Sequence, residues 1–211
     1  MQTVTAIIPA YNEAKRIINT LNQVKPFVDE IIVIDDASTD KTGEIARKEG
    51  AKVLNQTKNK GYIDAIKYGF REASGDIALL IDADGEFSPQ KIPDLIKPII
   101  GGLSDMVQGH RNIIPRPSER FLTWLAKRKA NIGDSGTGFR AIRTELARSL
   151  EIKGVCICGV FSLEVASKGG RITEIPIQLL KIKKSRKIAW FHFQQFFYLL
   201  PWLFKNFDKQ N

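Results

Sequence analysis

Short apolar runs alternate with amphipathic stretches through the first half of the chain. The four clearest runs lie at residues 4–8, 31–34, 51–54 and 77–81. They are apolar or β-branched without strict polar alternation, as in strands that are covered on both faces. Between them apolar positions recur at helical spacing, for example Ile17, Leu21 and Val24. The pattern predicts a parallel sheet whose strands are linked by crossover helices.

Residues that favour helix starts precede these amphipathic stretches. Asn12 is expected to cap the first helix, and Thr39 or Asp40 the second. Beyond residue 109 the alternation weakens, and a basic, proline-interrupted stretch leads to a glycine-rich segment. Further elements are expected as a strand at 105–109, helices at 119–130 and 161–168, and a last strand at 171–177.

Composition is that of a folded domain. The chain has 211 residues, of which 43% are hydrophobic and 26% charged, so disorder and fibrous structure are excluded. Cys156 and Cys158 are read as reduced thiols that fill a buried strand, because their spacing does not suit an unstrained disulfide and no second pair exists for zinc. The first residues lack a signal-peptide pattern, so a cytoplasmic location is expected.

The tail changes character and divides the predicted organisation into a domain at residues 1–180 and a segment at 181–211. A basic run, KIKKSRK, is followed by an aromatic stretch from Ile188 to Phe207. Its uninterrupted apolar part is much shorter than the roughly 20 residues that span a bilayer. Aromatic and cationic side chains together favour a membrane-interface segment. The alternative is an ordinary core or dimer helix.

The formal net charge of +9 raises the question of nucleic-acid binding. The basic clusters flank the aromatic tail and form no recognised nucleic-acid motif. The predicted strand ends are also acidic and would repel a polyanion. No nucleic-acid partner is expected.

Acidic side chains follow three of the predicted strands. Such positions meet at one edge of a parallel sheet, where ligands bind. They are Glu13 after the first strand, Asp35 and Asp36 after the second, and Asp82, Asp84 and Glu86 after the fourth. Neither GxGxxG nor a P-loop motif is present. Two carboxylates at i and i+2 can hold a hard cation such as Mg²⁺, although the same spacing also occurs in ordinary turns.

Read in order, the motifs AIIPAYNEAKRI, EIIVIDDASTDKT, NKGYIDAIKYG, GDIALLIDADGEF, VQGHR and DSGTGFRAI resemble family 2 of the nucleotide-sugar glycosyltransferases. They are most similar to the branch of dolichyl-phosphate mannose synthases and related polyprenyl-phosphate glycosyltransferases. The resemblance covers residues 3–187. It implies the GT-A fold, a Rossmann-like mixed α/β sheet flanked by helices, here followed by a C-terminal aromatic amphipathic segment.

The resemblance also implies roles for particular residues. Nucleotide binding falls to Pro9, Ala10, Tyr11, Glu13, Asp35, Asp36 and Asp82. Mg²⁺ or Mn²⁺ is expected on Asp82, Asp84 and Glu86, where mannose synthases often carry Gln at the last position. The catalytic set is Asp82, Asp84, Arg111 and Asp134, with Arg111 near the phosphates and Asp134 near sugar hydroxyls. Acceptor or phosphate contacts are expected from Arg116, Arg120, Thr137, Arg140, Glu164, Arg186 and Lys187.

The function implied is metal-dependent, inverting transfer of mannose or glucose, from GDP-mannose or UDP-glucose, to a polyprenyl or dolichyl phosphate. The enzyme would lie peripherally at the cytoplasmic membrane face. One alternative is a glycan or small-molecule hydroxyl acceptor, with Asp134 as the base. Another is a non-catalytic membrane-binding module. The interval between Arg111 and Asp134 is shorter than this branch usually has, so the acceptor region differs there.

Overall fold

The structure is a computed structural model, and it describes residues 2–114, 116–180 and 189–207. Its strands are β1 (Val4–Ala10), β2 (Glu30–Asp35), β3 (Lys52–Asn55), β4 (Ile77–Leu80), β5 (Met106–Arg111), β6 (Arg140–Arg143) and β7 (Ile172–Ile177). Its α-helices are α1 (Ile17–Val24), α2 (Thr42–Lys48), α3 (Tyr62–Glu72), α4 (Ile92–Ile100), α5 (Pro117–Lys127), α6 (Thr144–Ser149), α7 (Val160–Ser167) and α8 (Ala189–Phe204).

The strands form one mixed sheet in the order β3-β2-β1-β4-β6-β5-β7. β6 is antiparallel to both of its neighbours, and the other pairings are parallel. β1 lies between β2 and β4, and Ala10 is in register with Asp35. The chain order reverses at β1, which places a crevice beyond the carboxyl ends of these strands.

The predicted α/β architecture is confirmed, with one strand that the sequence reading did not identify. The four early strands, the strand at 105–109 and the last strand all form. β6 was missed because it is short and has Arg140 and Arg143 at its two ends. Arg140 is fully buried. Its charge made the segment look like a loop.

Two helix-start predictions need correction. α1 begins at Ile17 and not after Asn12, which has φ 57°. The Asn12 side chain instead accepts a hydrogen bond from the Thr39 N–H at 2.8 Å and so joins two loops. Before α2, the Asp40 carboxylate accepts the Thr42 N–H at 2.9 Å. The N-cap of α2 is therefore Lys41 and neither Thr39 nor Asp40, although Asp40 supports the helix start from the position before the cap.

Apolar side chains fill both faces of the sheet. α1, α2 and α4 cover one face, and α3, α5, α6, α7 and α8 lie on the side of the other. α8 packs against α5 and α7, where Leu199 is fully buried. In the part of the chain that is described, no helix combines the length and the apolar character needed to cross a membrane.

The environment of the two cysteines differs from the prediction. Cys156 and Cys158 lie in the loop between α6 and α7, not in a strand. Cys158 is buried and Cys156 is half-buried. The loop carries Gly154 at φ 151° and Gly159 at φ 79°, and such backbone angles do not continue a strand.

Candidate active site

The residues after β1 line the edge of the crevice. Ala10 and Glu13 are buried, Pro9 is half-buried, and Tyr11 is 46% exposed. The Glu13 carboxylate pairs with Arg16, and its backbone N–H donates to Thr42 Oγ1 at 2.8 Å. The predicted nucleotide-binding segment is therefore a tightly held loop with one exposed aromatic ring.

The two aspartates after β2 organise neighbouring loops. Asp36 accepts the N–H groups of Lys60 at 2.7 Å and Gly61 at 2.8 Å, which fixes the segment before α3. Asp35 accepts the Ser38 N–H at 2.9 Å. A carboxylate with two backbone donors is held in one orientation. The contact of Asp36 with a base or ribose stays a prediction.

The acidic loop after β4 contains Asp82, Asp84 and Glu86. The Tyr62 hydroxyl donates to Asp82 Oδ1 at 2.8 Å. Burial, together with the charge of Asp82, raises the pKa of Tyr62 well above its usual value, so the phenol stays protonated as a donor. Asp84 Oδ1 accepts the Glu86 N–H at 3.0 Å across Gly85, which has φ 74°.

These side chains fit a divalent cation by their donor chemistry, because carboxylate oxygens are the ligands that Mg²⁺ and Mn²⁺ prefer. The space beside Asp82 is also specific, since a Cβ at Gly138 would overlap Asp82 Oδ2. Ligand atoms of Asp82, Asp84 and Glu86 do not all lie within 4.8 Å of one another. Which of these three carboxylates would hold the ion stays a prediction.

A buried ion-pair cluster joins Arg111, Asp134 and Glu119. Arg111 Nε lies 2.6 Å from Asp134 Oδ2, and Arg111 Nη2 lies 2.7 Å from Asp134 Oδ1. Arg111 Nη2 also donates to Glu119. Arg111 is 8% exposed, Asp134 is 0% exposed and Glu119 is 2% exposed. The predicted residues Arg111 and Asp134 are thus each other's main partners.

The electrostatics of this cluster follow from its contacts. Burial raises the pKa of Asp134, but the hydrogen bonds and charge of Arg111 lower it more, and the net pKa lies below the usual value. Burial alone would lower the pKa of Arg111. The hydrogen bonds and charges of Asp134 and Glu119 outweigh burial, so the net pKa lies above the usual value. Both groups stay charged. Contact of Arg111 with phosphate stays a prediction, and Asp134 is a weak base.

Arg140 supports the glycine-rich segment from inside the protein. Its Nε donates to the Thr137 carbonyl at 2.9 Å and its Nη2 to the Ser135 carbonyl at 2.8 Å. Its guanidinium lies over the Phe161 ring at 4.5 Å. Burial lowers the pKa of Arg140 to about 10. Arg140 and Thr137 are both fully buried, so they shape the site loop rather than offer a surface to an acceptor.

Glu164 also has a structural role. Its carboxylate accepts the N–H groups of Glu151 at 2.6 Å and Ile152 at 2.8 Å. Ile152 has φ 38°, so Glu164 holds a turn with an unusual backbone. The expected acceptor role of Glu164 has no support in these contacts.

The remaining basic candidates occupy different environments. Arg116 is half-buried, and its Nη1 lies 3.7 Å from Glu119 Oε2. Arg120 is exposed on α5. Arg186 and Lys187 lie outside the described residues. Arg116 therefore approaches the ion-pair cluster through Glu119.

A cleft of about 800 Å³ opens beyond β5 and β7. It is lined by Ser88, Lys91, His110, Arg111, Asn112, Glu174, Pro176, Ile177, Gln178 and Leu180. The Leu180 N–H donates to the Glu86 carbonyl at 2.9 Å, which joins one wall to the acidic loop. The cleft therefore adjoins the acidic loop at Glu86.

Sequence reasoning missed two acidic residues of this region. Glu174 accepts hydrogen bonds from the N–H groups of Gly133 and Asp134, and it lies 3.3 Å from His110 Nδ1. Glu119 completes the ion-pair cluster but reads in sequence as an ordinary first-turn acid of α5. For Glu174 a signal existed, since it is a charged residue inside the otherwise apolar run ITEIPI.

The fold and the acidic strand ends define a class of nucleotide-sugar transferases, and comparison with known proteins places the chain in it. Residues 5–164 match the family model described as Glycosyl transferase family 2. The match covers more than half of the chain. This protein belongs to glycosyl transferase family 2.

Three curated relatives are each similar over most of this chain. A dolichol-phosphate mannosyltransferase of Pyrococcus furiosus is 31% identical over 82% of this chain and 55% of its own length. An undecaprenyl-phosphate mannosyltransferase of Micrococcus luteus is 29% identical over 84% of both chains. A UDP-N-acetylglucosamine–dolichyl-phosphate N-acetylglucosaminyltransferase of Methanococcus voltae is 32% identical over 85% of this chain and 86% of its own. The chain thus spans about half of the Pyrococcus relative.

Solved structures confirm the GT-A fold. Glucosyl-3-phosphoglycerate synthase of Mycobacterium tuberculosis superposes with a TM-score of 0.82 at 23% identity, over 96% of this chain and 81% of that one. The same synthase has been crystallised with Mn²⁺ and UDP-glucose, at a TM-score of 0.79 and 22% identity, over 94% of this chain and 78% of that one. At this identity the likeness concerns the fold.

Proposed function

We propose that this chain transfers a hexose from a nucleotide diphosphate sugar to a polyprenyl phosphate at a membrane surface. Family membership supports the reaction class, and relatives named for dolichol phosphate and undecaprenyl phosphate support the acceptor. The observation that carries the proposal is the position of Asp82 and Asp84 directly after β4, in an acidic loop whose Glu86 carbonyl is hydrogen-bonded to Leu180 on the wall of a cleft of about 800 Å³.

The donor is proposed to lie across the carboxyl ends of β1, β2 and β4. Asp36 would accept hydrogen bonds from the base or ribose, and Tyr11 offers an exposed ring beside it. Asp82 and Asp84 would hold Mg²⁺ or Mn²⁺, which neutralises the diphosphate leaving group when bound. The hydrogen bond from Tyr62 and the close packing of Gly138 keep Asp82 in place. GDP-mannose and UDP-glucose are the donors proposed.

The acceptor chemistry follows from its charge. A phosphate oxygen is anionic at neutral pH, so it attacks the anomeric carbon without a strong general base. The bond to the diphosphate breaks as the new bond forms on the opposite face, with inversion. The lowered pKa of Asp134 makes this residue a poor base, which counts against a hydroxyl acceptor. In the cleft Lys91 and His110 offer positive or polar contacts to the acceptor phosphate.

An exposed aromatic face supports the proposed membrane contact. We define this face by Phe121 and Trp124 on α5 and Trp190, Phe193 and Phe197 on α8, which are 48–63% exposed. The rings form one series, with Phe196 linking α5 to α8 at 6.1 Å from Phe121. The Arg128 guanidinium lies 4.0 Å from the Trp124 ring centre. Aromatic rings beside cations suit the headgroup region of an anionic leaflet. We place the protein peripherally at the cytoplasmic face.

The proposal is tested by a competition between acceptors. Full-length protein with Mn²⁺ receives radiolabelled GDP-mannose or UDP-glucose, vesicles containing polyprenyl phosphate, and 3-phosphoglycerate as a water-soluble acceptor. Label is expected in the organic phase with one of the two donors. Label that enters only a water-soluble product would contradict the lipid acceptor. Vesicles without polyprenyl phosphate are the control, and they should receive no label.

A further inference from the structure

Two cysteines and a histidine that the proposed transferase site does not use converge in the fold. Cys156 and Cys158 come from the loop between α6 and α7, and His192 comes from α8. One ligand atom of each lies within 4.8 Å of the other two. Across residues 2–114, 116–180 and 189–207 this is the one group of three such side chains that converges so closely.

The separations are close to those of a tetrahedral metal site. Zinc binds thiolate sulfur at about 2.3 Å and imidazole nitrogen at about 2.0 Å, which puts two such ligands about 3.5 Å apart. Cys158 Sγ and His192 Nε2 are 3.8 Å apart. A shift of a few tenths of an ångström brings both onto one ion.

The histidine ring is already oriented for this role. Ser118 Oγ, on α5, lies 2.7 Å from His192 Nδ1. When Nδ1–H donates to this hydroxyl, the lone pair of Nε2 points toward Cys158. Metal-binding histidines are usually fixed in this way by a hydrogen bond on the other ring nitrogen. His192 is 4% exposed, so the ring has little freedom to turn away.

A buried glutamine holds the cysteine loop against α8. Gln195 Oε1 accepts the N–H groups of Val155 at 3.0 Å and Cys156 at 3.1 Å. Its Nε2 donates to the Cys158 carbonyl at 3.3 Å. Gln195 is fully buried, one turn after His192 on the same helix. The backbone that carries both thiols is therefore fixed relative to the histidine.

We propose that Cys156, Cys158 and His192 bind one Zn²⁺ ion, which fastens α8 to the body of the protein. Two thiolates balance the charge of the ion, so the buried site is neutral overall. Each thiol releases its proton to solvent on binding. Cys156 is half-buried and gives the ion a route from solvent. The fourth position is left for water.

The test is titration of the reduced, metal-free full chain with Co²⁺, followed by displacement with Zn²⁺. The chain has two cysteines, so a thiolate-to-cobalt absorption band reports on this loop alone. We expect one Co²⁺ per chain, loss of the band on adding Zn²⁺, and a higher melting temperature with Zn²⁺. Ser118→Ala should weaken binding by about 10-fold through loss of the ring orientation.

Two further variants make the result decisive. His192→Gln should lose the band or weaken binding by more than about 10-fold, whereas His110→Gln, which alters the other histidine, should bind as the wild type does. Circular dichroism of the metal-free proteins checks that each is folded. A folded wild type without the band would overturn the proposal. So would His192→Gln with unchanged binding, because the cysteines alone would then be the site.

Discussion

The substitution Asp134→Asn tests the buried ion-pair cluster. Each carboxylate oxygen of Asp134 accepts two hydrogen bonds: Oδ2 from the N–H and Nε of Arg111, and Oδ1 from Arg111 Nη2 and the Gly136 N–H. An asparagine places an NH₂ group at one of these oxygens in either flip, so two buried donors lose their acceptor. Removing one partner of a buried ion pair costs about 3–5 kcal/mol. For a chain of this size that lowers the melting temperature by about 10 °C.

The matched control is Asp94→Asn, because Asp94 pairs with Lys91 at 2.8 Å on the surface. This change should alter the free energy of unfolding by less than about 0.5 kcal/mol. Urea unfolding at pH 7 compares the two variants with the wild type. A difference between the variants of less than about 1 kcal/mol would refute the reasoning.

The difference in unfolding free energy between the wild type and Asp134→Asn should also depend on pH, in a direction set by the pKa of Asp134. The folded-state pKa of Asp134 is lowered, so its contribution is complete above the ordinary pKa of about 4. It is lost as the pH falls through the lowered folded-state value. The stability gap between wild type and Asp134→Asn should therefore narrow in acid. A gap that stays constant from pH 7 into the acid unfolding range would contradict the ion-pair account.

Three other outcomes follow from contacts in the site and on the surface. Gly138→Ala should displace Asp82 and abolish the Mn²⁺-dependent rise in melting temperature with nucleotide sugars, and an unchanged rise would count against the metal role of Asp82. Tyr62→Phe should weaken Mn²⁺ binding by about 10-fold in a metal titration, because it removes the hydrogen bond to that carboxylate. Phe193→Ser should weaken flotation with anionic vesicles by about 10-fold while the fold stays intact. Leu103→Ser, at an exposed position away from the aromatic face, is its control and should float as the wild type does.

The fold was largely predictable because its central strands, β1, β2 and β4, are buried on both faces. Continuous apolar runs such as IIVI and IALL are recognisable as buried strands from the sequence alone. β6 could not be recognised in this way, since Arg140 is buried only because Thr137, Ser135 and Phe161 surround its guanidinium. Those contacts depend on tertiary structure.

The common location of the acidic loops was predictable, whereas the contacts made by their side chains were not. The acidic residues after β1, β2 and β4 could be assigned to one edge because parallel strands end together. The pairing of Arg111 with Asp134 and Glu119 joins residues far apart along the chain and has no local pattern. Cys156 and Cys158 were read as strand fillers for the same reason, since His192 and Gln195 approach them from a distant helix.

Transfer of hexose to lipid by the wild type and by Asp84→Asn is the most direct test of the proposed function. Both proteins are incubated with Mn²⁺, labelled donor and vesicles that contain polyprenyl phosphate, and the label in the organic phase is counted. The proposal predicts organic-phase product with the wild type and none with Asp84→Asn, although both proteins are folded. Equal transfer by the two proteins would contradict the role of the acidic loop after β4, and no transfer by either would contradict the proposed reaction.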